Sequence, residues 1–263
     1  MKRKYLLIIT AVLLALLLAA CGSSSEAPEQ DGSHDSGQEQ TETTETTEES
    51  DAEPAEAENE VHPYAWLGYQ DIPECDYLDI LATNHYYRES EEYIKGLSYV
   101  SKHINAVDGI NTYKDEDGSK TYSIDGKVTV VNEDAKYYME QDATSLAESA
   151  VDNMETARKE GTNLYGREFQ GTGSEAIPIY SEQTGDKNEY EYYEYSYPEF
   201  EKDEGNKETE RVYLKDGDVY AIYQYIKWGE TEVESTEVMK KMSGDIPDGL
   251  FKLPDLSGYE KMD

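Results

Sequence analysis

The chain has 263 residues and a formal net charge of −35. Three segments divide that charge: residues 1–21 carry three bases and no acid, 22–60 fourteen acids and no base, and 61–263 the other 44 acids and 20 bases. An acidic folded region repels phosphate and argues against nucleic acid as a partner, and one apolar run near the N-terminus is too little for a polytopic membrane protein.

The N-terminus reads as a targeting segment. Lys2, Arg3 and Lys4 form a positive start, 6–18 is apolar apart from Thr10, and Leu18-Ala19-Ala20-Cys21 is followed by Gly22 and three serines. A charged start, a short apolar run and small residues before a cleavage point make a secretory signal. The Leu-Ala-Ala-Cys ending resembles the lipobox of bacterial lipoproteins. That resemblance implies cleavage before Cys21 and diacylglycerylation of its thiol, so 1–20 is a signal peptide and Cys21 the lipid-attachment site. Each buried CH₂ adds about 0.8 kcal/mol, so several acyl chains hold a protein that one chain would release.

Residues 22–60 contain no large apolar side chain. A segment of acid, Ser, Thr, Gly and Pro cannot bury enough surface to offset the entropy of ordering, which predicts a disordered acidic tether over 21–60. The 39 residues after Cys21 would span roughly 35 Å as a coil and about 130 Å fully stretched.

Residues 61–263 have the length of one domain. They hold 43 Ile, Leu, Val, Met, Phe, Trp and Cys residues and 23 of the 24 tyrosines. Tyrosine favours strands and can bury its ring while its hydroxyl finds water or a partner, which suits a sheet with a thin core. Once Cys21 is lipidated only Cys75 remains, so packing alone must hold the domain. Cys75 reads as a small packed residue rather than a nucleophile.

In chain order, alternation predicts strands over 85–94, 99–107, 110–114, 120–124, 127–131 and 136–139, with turns at 108–109, 115–118, 125–126 and 132–134. Ala143, Leu146, Ala147, Ala150, Val151, Met154 and Ala157 recur at helical spacing. Asp142 marks the start of that helix and Gly161 its stop. Strands resume over 164–169, 177–181, 189–197, 211–215, 219–228 and 230–242, and Gly171-Thr-Gly-Ser174 reads as a loop. In 219–228 one face carries Val219, Ala221, Tyr223 and Tyr225 and the other Tyr220, Ile222, Ile226 and Trp228. A strand apolar on both faces is central and covered twice.

The order of a strand meander, one helix and further strands, closed by Asp245-Ile-Pro-Asp-Gly-Leu-Phe-Lys-Leu-Pro254 and Gly258-Tyr259, is similar to the lipoprotein-carrier fold of LolA- and LppX-like proteins. The Tyr213-Leu-Lys-Asp-Gly-Asp-Val-Tyr-Ala-Ile222 hairpin shares in that likeness, which covers about 75–263. It implies an α+β fold, with a curved antiparallel half-barrel sheet and one or two covering helices. It also implies a hydrophobic ligand between sheet and helix, for which the strand and helix faces offer Leu146, Ala150, Met154, Tyr220 and Ile222 as lining.

Motifs of chemistry are missing from the sequence. The histidines at 34, 62, 85 and 103 make no His-Glu-x-x-His pair and no Cys/His cluster, so neither a metal nor another cofactor is expected. Gly171-Thr-Gly-Ser174 does not match a Gly-x-Ser-x-Gly elbow. Asp115-Glu-Asp-Gly118 lacks the sixth-position Gly and twelfth-position Glu of a calcium loop. The expected function is non-enzymatic: a lipoprotein anchored on the extracytoplasmic face of the cell membrane that binds a hydrophobic ligand or envelope component. The rival expectation is a surface interaction or sensor domain whose Tyr-rich face binds a protein or glycan.

Overall fold

A computed structural model describes residues 61–262. Cys21 and the readings of 1–20 and 21–60 lie outside the described residues. The strands are β1 (His85–Ile94), β2 (Val100–Asp108), β3 (Asn111–Glu116), β4 (Ser119–Ile124), β5 (Lys127–Asn132), β6 (Tyr137–Asp142), β7 (Glu168–Glu175), β8 (Tyr190–Ser196), β9 (Lys207–Lys215), β10 (Asp218–Trp228), β11 (Thr231–Ser243) and β12 (Glu260–Met262). The helices are α1 (Asp76–Ala82), α2 (Thr144–Glu160), α3 (Tyr180–Thr184) and α4 (Pro198–Glu201), after a 3₁₀ turn at Ala65–Leu67. The fold is α+β, built on one curved, unclosed sheet in the order β12-β6-β5-β4-β3-β2-β1-β11-β10-β9-β8-β7.

The sheet is mixed rather than antiparallel throughout. β12 runs parallel to β6. The closing segment carries Ile246, Leu250, Phe251, Leu256 and Tyr259 across one sheet face, against Tyr87, Ala106, Tyr113, Tyr122 and Val131. Once across that face, the chain arrives at the edge in the parallel sense.

Two further clusters cover the other end of the sheet on opposite faces. On one face Tyr93, Tyr190, Tyr213, Ala221, Tyr223 and Val238 pack with Ile177 and Ile179. On the other, Tyr193, Tyr195, Val212, Leu214 and Val219 pack with Tyr64, Trp66, Leu67, Ile72, Tyr77 and Leu78, and with Ala157 of α2. β10 is therefore central and covered on both sides, as its apolar faces predict. Cys75 is buried at the head of α1 and is a free thiol, which burial pushes up to about 11.

Several local expectations are corrected. Residues 177–181 form no strand: Ile179 has φ 64°, Pro178 cannot donate to a ladder, and α3 begins at Tyr180. Gly171-Thr-Gly-Ser174 is edge strand, not loop. Gly171 (φ 145°) sits at a register shift, and a Cβ on Gly173 would lie 2.5 Å from the Tyr192 hydroxyl, so a side chain there would strike the neighbouring ring. β9 starts at Lys207 rather than 211, because Glu208 and Glu210 are buried, Glu210 bonded to Arg167, Tyr69 and Tyr197, instead of ending the strand. α1 lies in a stretch for which the sequence signals above predict no element.

The end of α2 follows its signal, while its start falls one residue later than Asp142, at Ala143, which makes no side-chain cap bond. Asp142 Oδ1 accepts bonds from the Thr144 backbone N–H (3.0 Å) and hydroxyl (2.7 Å). Those two bonds hold its carboxyl below its ordinary range. Gly161 ends the helix at φ 67° and donates to Ala157 O. The helix start is tied to the β4–β5 turn by Ala143 N–H to Gly126 O at 2.8 Å. Its end is tied by Arg158, which donates to Ala82 O and stacks over Trp66 at 4.6 Å.

Candidate functional site

Directly opposite residues of an antiparallel pair point to the same face, so the ladders define the side chains on the α1 and α2 side. One row there runs Met242, Arg88, Asn105, Lys114 across β11, β1, β2 and β3. The next runs Met239, Ser90, His103, Glu116, and beside it lie Glu237 and Glu92. A polar strip thus borders the apolar cluster of that face, in which Met154, Ile222, Met239 and Met242 are half-buried.

Arg88 anchors the strip. Its Nη2 lies 3.1 Å from Glu237 Oε1, and its Nη1 donates to the Tyr77 hydroxyl at 3.1 Å. Ser90 donates to the same Glu237 oxygen. Burial works to raise the Glu237 carboxyl, but Arg88, Ser90, His103 and Lys114 outweigh it and hold the group below its ordinary range. Glu92 goes the other way: burial raises it, with Glu237 and Glu116 adding, while His103 at 3.6 Å opposes. Burial lowers the Lys114 ammonium, with Glu116 and Glu237 pulling back.

A cleft of about 370 Å³ opens beside this strip, between α1 and the β10–β11 strands. Tyr77, Ile80, Val219, Met239 and Met242 give it apolar walls, and Asp218 and Lys241 stand among its polar lining. Tyr77 and Met242 belong to both cleft and strip, since Tyr77 bonds Arg88 and Met242 is Arg88's cross-strand partner. Unbranched methionines adapt to irregular apolar shapes.

The five candidate lining residues separate in space. Met154 and Ile222 pack on the same apolar cluster. Ala150 is half-buried on the inward seam of α2, while Leu146 is 41 % exposed and points away. Tyr220 lies on the opposite face, against Tyr180 and Tyr190. The cause is a register shift between Val219 and Ala221, which leaves Tyr220 without a β9 partner. That bulge puts Val219 with Ile222 and groups Tyr220 with Ala221 and Tyr223. None of the five lines the cleft. Sequence alternation missed Met239 and Met242, three apart yet set on one face by a second shift opposite Glu89/Ser90, and missed Tyr77 because no signal predicted α1.

The opposite face carries a tyrosine group. Tyr190 stacks on Tyr220 (5.3 Å between centroids, 28°), and the Tyr180 and Tyr220 hydroxyls are 3.2 Å apart.

Among the described residues no group of three or more His, Cys, Asp or Glu side chains is placed to hold a metal ion, and no helix is long and apolar enough to cross a membrane. No protein-family model matches the chain, and no curated protein matches it in sequence.

Proposed function

We propose that the chain is a bacterial lipoprotein, held by acyl chains on Cys21 at the extracytoplasmic face of the cell membrane. Residues 22–60 act as its tether. The domain is a non-enzymatic binding module of the LolA/LppX-like kind, taking a hydrophobic ligand or an envelope component on the helix side of a half-barrel sheet. The observation that carries the reading is the cleft under α1. Its Ile80, Val219, Met239 and Met242 walls stand among Asp76, Asp79, Asp218, Lys240 and Lys241, an adaptable amphipathic surface that supports a small ligand with an apolar part. The cleft sits under α1 rather than α2, which moves the binding position from the helix that the sequence favoured.

Uptake of a neutral apolar fluorophore such as phenylnaphthylamine by the full-length chain tests this. Met239→Lys should abolish uptake with the far-ultraviolet dichroism unchanged, and Tyr220→Ala, on the other face, should leave it intact. Equal uptake by Met239→Lys and the parent would remove the cleft from the account.

A second reading rests on the Tyr180–Tyr190–Tyr220 group. Tyr180 and Tyr220 are half-buried around the buried Tyr190, and amphipathic rings of this kind suit a sugar or a protein surface. Loss of partner capture in Tyr220→Ala, with apolar uptake retained, would favour it.

A further inference from the structure

Two buried polar atoms in the strip have no hydrogen-bond partner: Arg88 Nε and Asn105 Oδ1. They belong to directly opposite residues on β1 and β2, pointing to one face. One is a donor and the other an acceptor. A buried polar group left unpaired costs stability, so such atoms call for a partner. Tyr77 takes one Nη1–H and Glu237 one Nη2–H of Arg88, and its Nε–H is a buried donor without a partner. Tyr195 and Asp71 also leave one polar atom each unpaired. The Tyr195 ring, however, is 0 % exposed within the packed cluster. Arg88 and Asn105 are half-buried, and two residues against Arg88, Tyr77 and its cross-strand partner Met242, line the open cleft.

A single hydroxyl matches this pair, because its oxygen accepts from Arg88 Nε–H while its hydrogen goes to Asn105 Oδ1. Charge selects further. Arg88 pairs with Glu237 and His103 with Glu92. The strip sets three carboxylates, Glu92, Glu116 and Glu237, against the cations Arg88 and Lys114, so its charge does not favour a phosphate or carboxylate, and the domain around it is strongly acidic. The apolar walls begin one residue away, at Met242 opposite Arg88.

We propose that the strip is the head-group subsite of the cleft, and that its ligand is a neutral, hydroxyl-headed amphiphile. The hydroxyl sits between Arg88 and Asn105 and the chain lies along Met239 and Met242. This rests on the binding role proposed above and adds the class of ligand to it.

Displacement of the apolar fluorophore from the full-length chain is the experiment, with four competitors of equal chain length: a monoacylglycerol, its hydroxyl-free methyl ester, the fatty acid and a lysophosphatidate. The monoacylglycerol should compete about tenfold better than the methyl ester, the worth of one well-made buried hydrogen-bond pair. It should also outcompete both anions. Asn105→Leu should erase the preference for the hydroxyl while the methyl ester competes as before. If Asn105→Leu does not fold, the selectivity of the parent chain alone decides. Equal competition by monoacylglycerol and methyl ester means the pair holds an ordered water and overturns the proposal, as does preference for either anion. In both cases the apolar site would stand. Failure of the parent to take up the fluorophore at all would sink the binding role itself, so the two failures are distinct.

Discussion

Arg167 and Glu210 meet at 3.0 Å, Nε to Oε1, with the Glu210 side chain 2 % exposed. Around them Arg167 donates to the Leu67 carbonyl at 2.7 Å and to the Tyr197 hydroxyl at 2.8 Å. Its guanidinium also lies 4.3 Å from the Tyr69 ring centroid. Glu210 accepts from the Tyr69 hydroxyl at 2.7 Å and the Tyr197 hydroxyl at 3.1 Å. The pair therefore binds the N-terminal segment, the approach to β7, the end of β8 and the middle of β9 into one knot.

Breaking one side of a buried pair leaves the other charge uncompensated, which costs about 3–5 kcal/mol. Arg167→Met should lower unfolding stability in denaturant by that amount. Arg167→Met combined with Glu210→Leu should lose less than the single substitution, because no buried charge is then stranded. An additive double variant would mean that the pair acts only through packing.

Glu208 gives the domain a pH dependence. Burial first, and then the Glu210 charge, push its carboxyl from 4.5 up to about 7. The folded chain therefore keeps a proton that the unfolded chain releases, so stability falls as pH rises through this window and levels off above it. Glu208→Gln should match the parent near pH 4 and exceed it above pH 7, by on the order of 2–3 kcal/mol at most. Thermal melts of both proteins across that range would show it. An advantage independent of pH would assign the effect to packing.

Gly126 sets where α2 begins. It sits at φ 77°, and an added Cβ would stand 2.4 Å from Thr144 Cα. Gly126→Ala should cost about 1–2 kcal/mol from the left-handed backbone alone, with the clash adding to it. The loss should concentrate in the hydrogen-exchange protection of α2, because Ala143 N–H to Gly126 O is the tie at that end. Unchanged protection across 144–150 would contradict this role for the turn.

Cys21→Ser tests the anchor. The variant should leave the membrane fraction or accumulate uncut, because a serine hydroxyl does not take the thioether-linked lipid. A serine variant that is processed and still membrane-bound would contradict the lipobox reading.

Much of the sheet is legible because its signals are local. Asp125-Gly126 and Asp216-Gly217 are turn residues at positive φ, and the strands beside them alternate as a half-buried sheet must. The α2 ends are legible to within one residue for the same reason, through Asp142 and Gly161. The site is not, because each of its features is a property of pairing. Two register shifts, one at Tyr220 and one opposite Glu89/Ser90, reverse the faces that strict alternation assigns. A one-residue shift moves every later side chain to the other face, so Tyr220 and Ile222 part company and Met239 and Met242 come to the cleft. The apolar stretch behind Cys75 signals burial, but its partner Asp218, which accepts from Tyr77 N–H at 2.9 Å, lies 141 residues away.

The most direct test of the central claim is the native mass of the full-length chain after gentle extraction, before and after exposure to the cell's own lipid extract. One additional small apolar molecule per chain is expected, lost in Met239→Lys. A chain that neither carries such a molecule nor takes one up would contradict that claim.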